Sequence, residues 1–317
     1  MKLAMQIEGM FGLTWLRWQR LVTEVERLGF AGLFRSDHFT LGQAPDREAL
    51  EAVVSLTYAA AQTQRIHFGT LVAPFSFRDP IMLARQAMAI DDLSGGRMVL
   101  GVGAGWMERE HAMFGYDLGD MEMRMARLEE ALEVISRLIR SEEPVTFAGR
   151  FYRLQEASLL PRPKQPTRIL LGGNGPKRTL PLASRYADVW NGVGLSPEKF
   201  AERSAQLDVL LRGVGKEPQA VQRTLMAPVV CWRNEREFAA RMEHLRSTYY
   251  AYENMTPEAL GEQLRSSEGG IAGTPDEVVA RLRAYAAAGV DEVMIQWISL
   301  DDLEGIAVIA EDVMPHV

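Results

Sequence analysis

The chain has 317 residues, 47% of them hydrophobic, enough for one large α/β barrel or two smaller domains. Lys+Arg 35 against Asp+Glu 42 leaves a net charge of −7, and no basic run is interleaved with aromatics, so no nucleic-acid partner is expected. The single cysteine, Cys231, excludes an internal disulfide framework and, within the apolar run 226–232, reads as a small core residue.

In chain order, Met1-Lys2 leads directly into a strand over Leu3 to Ile7, with neither a signal-peptide core nor a long apolar run. A cytoplasmic protein without a membrane contact is expected. Thr14 opens a helix to Leu28, with Leu16, Leu21, Val25 and Leu28 at helical spacing and Gly29 as its stop. A strand over Ala31 to Phe34 ends on Arg35-Ser36-Asp37-His38-Phe39, and a helix follows over about Arg47 to Gln62. Ile66 to Val72 and Met98 to Val102 are apolar runs flanking a helix opened by Pro80. Strands with helices on both faces lack a solvent side and read this way. Met107 to Asp120 is expected as a loop, and Met121 to Arg140 as a long amphipathic helix. Residues 144–166 suggest a β-hairpin and an extended arm inserted into the β/α repeat.

Ile169 to Leu171 is the fifth strand, and Pro176 is expected at the first turn of the next helix. Strands over Ala187 to Trp190, Leu225 to Trp232 and Glu292 to Ile295 follow, separated by helices from Ser196-Pro197, Glu235 and Thr274. Residues 249–272 read as a second, irregular insertion. Thr274-Pro275-Asp276-Glu277 has the form of a capping box, and the last helix is expected over Leu300 to Val313. Eight strands alternating with helices suit a single (β/α)₈ barrel over 1–317, with insertions after strands 4 and 7.

The site of such a barrel lies at the C-terminal ends of its strands. Five scattered histidines form no metal-binding pair, and no nucleophile elbow or phosphate-loop signature is present, so no metal is expected. Glycine turns, aromatics and Asp37-His38 remain, which suits an organic cofactor carrying its own chemistry. Gly103-Ala104-Gly105 would let a flat ligand approach the backbone, or is a tight turn. Gly173-Asn174-Gly175-Pro176-Lys177 offers amides at a helix start beside a cation. It reads either as a phosphate cradle or as an ordinary strand-to-helix turn. His38 is a candidate for moving a proton or for capping the next loop, and Asp37, facing the other way along an extended chain, need not touch it. Trp15, Phe39, Trp106 and Met107 could wall a substrate pocket or belong to the core.

Together, Leu28-Gly29-Phe30, Ser36 to Phe39, Gly69-Thr70, Asp79-Pro80, Leu93 to Arg97, Gly101 to Trp106 with Glu110 and Phe114-Gly115, Gly175 to Lys177, Ala187-Asp188 and Gly273 to Pro275 resemble the luciferase-like monooxygenase superfamily. Within it they resemble the branch that uses the deazaflavin coenzyme F420. The resemblance implies a (β/α)₈ barrel with the ring over the strand ends at Thr70, Leu71 and Val72, where the Leu71–Val72 peptide would be cis. It also implies phosphate binding at Gly173 to Lys177, with His38 near the reacting carbon. Some sugar-phosphate dehydrogenases of the branch carry a catalytic glutamate where this chain has Trp106, so the expected substrate is apolar or aromatic. The expected chemistry is hydride transfer between the deazaflavin and a small molecule. The alternatives are an FMN-dependent monooxygenase served by a partner reductase, and a cofactor-binding protein without turnover. Homodimers are common in the family. The segments from Met107, Pro144 and Tyr249 are expected to set the substrate.

Overall fold

The computed structural model describes residues 1–317. The strands are β1 (Lys2–Ile7), β2 (Gly32–Arg35), β3 (His67–Thr70), the two-residue β4 (Ala73–Pro74), β5 (Met98–Gly103), β6 (Val145–Ala148), β7 (Arg153–Ala157), β8 (Arg168–Gly172), β9 (Val189–Val193), β10 (Gln222–Cys231), β11 (Ile271–Gly273) and β12 (Glu292–Trp297). The helices are α1 (Trp15–Leu28), α2 (Ala52–Gln62), α3 (Pro80–Ser94), α4 (Glu108–Phe114), α5 (Met121–Arg140), α6 (Thr179–Tyr186), α7 (Pro197–Gly213), α8 (Glu235–Thr248), α9 (Pro257–Ser266), α10 (Pro275–Ala287) and α11 (Leu303–Val308).

Eight parallel strands close in the order β1-β2-β3-β5-β8-β9-β10-β12, and β12 pairs with β1 from Lys2 opposite Glu292 to Ile7 opposite Trp297. Side chains alternate between the two faces of each strand. On the inward face Ala4, Phe34, Leu71, Val99, Leu170, Val189 and Met294 form one apolar layer that plugs the barrel, with Val72 and Met226 against it. The outward set joins the helices in a larger core around Trp18, Phe30, Phe68, Trp190 and Phe200.

The helix boundaries follow local chemistry. Thr14 accepts from the Arg17 amide and Gly29 ends α1 in the left-handed region. Asp79 caps α3 at the Met82 amide with Pro80 at its first position, and Thr274 with Glu277 completes the capping box of α10.

Several expectations are corrected. The helix expected from Arg47 begins at Ala52, because the Glu51 side chain caps it at the Val54 amide. Residues 107–120 are not all loop but hold α4. Pro176 does not open a helix: α6 starts at Thr179, and Pro176 lies in the preceding turn. The insertion 249–272 is more regular than expected, with α9 and β11, the latter pairing with the far end of β10. The last helix is shorter than Leu300 to Val313, with α11 passing into a wider π turn over Ile309–Val313. Residues 144–166 do hold a hairpin, β6–β7, whose turn is tied to α5: Glu130 accepts from the amides of Arg150, Phe151 and Tyr152. No helix is long and apolar enough to cross a membrane.

Candidate active site

A cavity of about 680 Å³ opens at the C-terminal ends of the strands, within the size range of small-molecule and cofactor sites. Its wall includes His38, Leu71, Val72, Gly103, Ala104, Gly105, Trp106, Met107 and Gly173. The Leu71–Val72 peptide is cis, and Val72 stands on that wall between two glycines. A Cβ on Gly103 would come within 2.7 Å of Val72 Cγ2, and one on Gly172 within 3.1 Å of Val72 Cγ1. This surface therefore has no side chain but Val72, and any other would fill it.

The end of β2 is fixed from behind by two arginines. Arg35, fully buried, donates to Ser55 Oγ (2.6 Å) and to the Leu50 and Glu51 carbonyls, and burial pushes its guanidinium down to about 10. Arg78 grips Asp37 through two bonds of 2.6 and 2.7 Å. Burial raises the Asp37 carboxyl above its usual range, with Arg78 opposing. Asp37 thus points away from the cavity and touches a cation there, not His38.

His38 faces the other way. Its Nδ1 lies 3.1 Å from Glu110 Oε2, and Glu110, wholly buried on α4, also accepts from the Phe39 amide through Oε1. Burial alone would push the imidazole down; the Glu110 hydrogen bond and charge outweigh it and hold His38 above its ordinary value. With Nδ1–H committed to Glu110, Nε2 is the ring position left to take up or release a proton. Trp106, 64% exposed at the rim, stands edge-on to the His38 ring with centroids 5.4 Å apart.

The other sequence candidates lie outside the cavity wall. Thr70 is buried and donates to the Gly101 carbonyl (2.6 Å), pinning β3 to β5. Asn174 clamps its turn to β9, donating to the Val193 carbonyl (2.7 Å) and accepting from its amide (2.9 Å). Gly175, Pro176 and Lys177 continue that turn outward, with Lys177 in solvent. Trp15 sits on the outer surface against Tyr58, and Phe39 packs with Phe77, Phe114 and Tyr116. The hairpin contributes nothing to the cavity, so the expectation that it shapes the substrate site is corrected. Residues that sequence reasoning did not assign to the site do line it: Glu8, Glu110, Asn191, Arg241 and the tyrosines 249, 250 and 252. Asn191, at a strand end, the tyrosines, in the insertion expected to set the substrate, and Glu110, after the glycine run, had a sequence signal; Glu8 and Arg241 had none.

Residues 12–292 match the luciferase-like monooxygenase family. The chain belongs to that family. Among its curated relatives is an F420-dependent glucose-6-phosphate dehydrogenase from Amycolatopsis mediterranei, 27% identical over 92% of this chain and 91% of the relative. Solved structures of the same fold include an F420-dependent secondary alcohol dehydrogenase in complex with an F420-acetone adduct (TM-score 0.82, 19% identity, 98% of each chain). A monooxygenase from Streptomyces bottropensis also shares it (TM-score 0.83, 23% identity, 100% of this chain and 99% of that one).

The cavity fits a flavin-type ring. Beside the side-chain-free surface at Gly103 and Gly172, the cavity-lining Asn191, held to Thr224 Oγ1 through Nδ2 at 2.9 Å, has a buried Oδ1 with no partner. An amide oxygen of that kind suits the N–H of a pyrimidinedione edge.

Proposed function

We propose that this luciferase-like protein is an oxidoreductase that uses coenzyme F420 to move a hydride to or from a small apolar or aromatic substrate. The observation that carries the reading is the His38–Glu110 couple beside the glycine-lined surface at Val72. Bound deazaflavin supplies two-electron hydride chemistry. The chain's own share is to bind, orient and shuttle a proton. Val72, Gly103 and Gly172 would seat the ring, and Asn191 would meet its polar edge. His38 Nε2 would hold or release the proton that accompanies hydride transfer. Glu110 sets the tautomer of that ring. Met107, Trp106 and the tyrosines narrow the access of water.

The turn 173–177 is the proposed phosphate site. Its support is the first turn of α6, which has no side-chain cap, with Lys177 and Arg178 beside it in solvent. Arg124 adds a third cation near the rim, donating to the Gly105 carbonyl at 2.9 Å. A homodimer is part of the proposal. Leu16 on α1, Val54 on α2, and Met82 and Leu93 on α3 leave more than half of their surface in solvent, which a second copy would cover. Light scattering on the purified protein reads this directly.

The test of the cofactor is a fluorescence titration with the deazaflavin and, separately, with FMN. Binding of the deazaflavin alone supports the proposal. Preference for FMN moves the reading to an oxygen-using monooxygenase with a partner reductase, and binding of neither removes both.

A further inference from the structure

The cavity wall also carries polar groups that the proposed chemistry does not use, in the lobe lined by Glu8 and the tyrosines 249, 250 and 252. Four charged side chains line the whole cavity: Glu8, Glu110, Asp302 and Arg241. Three of them have a counter-charge. Glu110 faces His38, while Arg241 lies 3.3 Å from Glu237 and 3.6 Å from Asp302. His111 also reaches the cavity, but its two ring nitrogens are taken up by the Met107 carbonyl (2.8 Å) and Ser76 Oγ (2.7 Å).

Glu8 is different. It sits just past the end of β1, is 5% exposed, and has no ion-pair partner; Gln296 Nε2 donates to Oε1 at 2.7 Å, and Oε2 is buried with no partner. It lines the cavity with His38 and Tyr249, and its charge bears on both groups. Part of the same wall is aromatic. Tyr249 stands edge-on to Phe11 at 5.5 Å, to Tyr250 at 4.9 Å and to Tyr252 at 4.9 Å, and all four rings line the cavity.

A buried carboxylate oxygen without a partner is costly in isolation, and a ligand that brings a donor to it removes that cost. Aromatic faces attract a cation by their quadrupole, and the fixed negative charge repels an anion in the same space. We infer that this lobe receives an organic cation or strong N–H donor, an amine or iminium nitrogen, held by Glu8 against the tyrosines, and that it turns away phosphate- and carboxylate-bearing substrates. The inference rests on the reading of the cavity as the substrate site.

The experiment is calorimetric titration of the full chain at pH 7 with benzylammonium, benzyl alcohol and benzoate, three probes with the same ring. Benzylammonium is expected to bind about tenfold tighter than benzyl alcohol, with benzoate weakest. Glu8→Gln keeps the acceptor for Gln296 and is expected to abolish the cation's advantage. Tyr249→Leu, the second variant, is expected to weaken the cation several-fold and the alcohol less. Benzoate binding as tightly as the cation overturns the inference, as does an unchanged order in a folded Glu8→Gln protein. The deazaflavin titration on the same samples keeps the two readings apart. Cofactor binding without cation preference defeats this inference alone, whereas cation preference without cofactor binding defeats only the proposed function.

Discussion

Glu110→Gln removes a charge from the carboxylate that contacts His38 while keeping its size and an oxygen for the Phe39 amide. A hydrogen bond to a charged group contributes about 1.5–3 kcal/mol. At about 1.4 kcal/mol per factor of ten, the ratio of protonated to neutral His38 at a given pH should fall roughly 10- to 100-fold. The direction is fixed by the structure. In the native protein the Glu110 pair outweighs burial and raises the imidazole above its ordinary value. The stability it contributes is complete below the unfolded-state pKa and is lost as pH rises through the folded-state value. In the variant, burial acts without its counterweight, so His38 titrates at lower pH than in the native protein. The assay is a pH titration of the His38 ring by NMR, with melting temperatures of both proteins measured alongside. The native protein should lead most on the acid side of neutrality, and its lead should shrink as pH rises. An unchanged His38 titration would falsify the argument.

Other outcomes follow from the same geometry. His38→Ala should lower turnover with an accepted substrate by roughly 10²- to 10⁴-fold while leaving deazaflavin affinity nearly intact; unchanged turnover removes His38 from the chemistry. Arg78→Met leaves the buried Asp37 carboxylate without its guanidinium and should cost about 3–5 kcal/mol in urea unfolding, whereas a loss below about 1 kcal/mol would show that the pair is dispensable. Gly105→Ala places a side chain at φ +81°, 2.1 Å from Ser76 Oγ, and should cost at least about 1–2 kcal/mol by the same measurement. Lys177→Ala, being exposed, should weaken cofactor binding by less than about tenfold, with the effect fading as salt is raised.

The barrel was legible because its strands are short, largely apolar runs and its helices carry explicit start and stop residues, as at Thr14, Asp79-Pro80 and Thr274. Where the reading slipped, the local signal was ambiguous. Proline suits the first turn of a helix, but it suits a tight turn equally, and at Pro176 the turn continues for two more residues before α6 begins. The seven-residue α4 has no side-chain cap, so nothing in 107–120 marked its start. Glu110 lies among Glu108, Arg109 and His111, which look like a solvated face. That it is the buried partner of His38 depends on a contact across 72 residues. Glu8 was hidden for the same reason: its meaning comes from what fails to approach it.

The apolar layer from Ala4 to Met294 both plugs the barrel and underlies the site. Trimming one of its larger members, such as Leu71 or Leu170, to alanine removes packing worth about 2–5 kcal/mol from a fold whose whole margin is of the order of 5–15 kcal/mol. Deepening the pocket is therefore the wrong route to new substrates for this scaffold. Segments 107–120 and 249–272 rise above that layer, but Glu110 and His111 in the first and Leu260, Leu264 and Ile271 in the second are buried, so only their exposed positions can be exchanged without cost to the fold or to His38. Substrate range in this protein should therefore be altered at exposed rim positions of these segments, with Glu110 kept, before the barrel layer is touched.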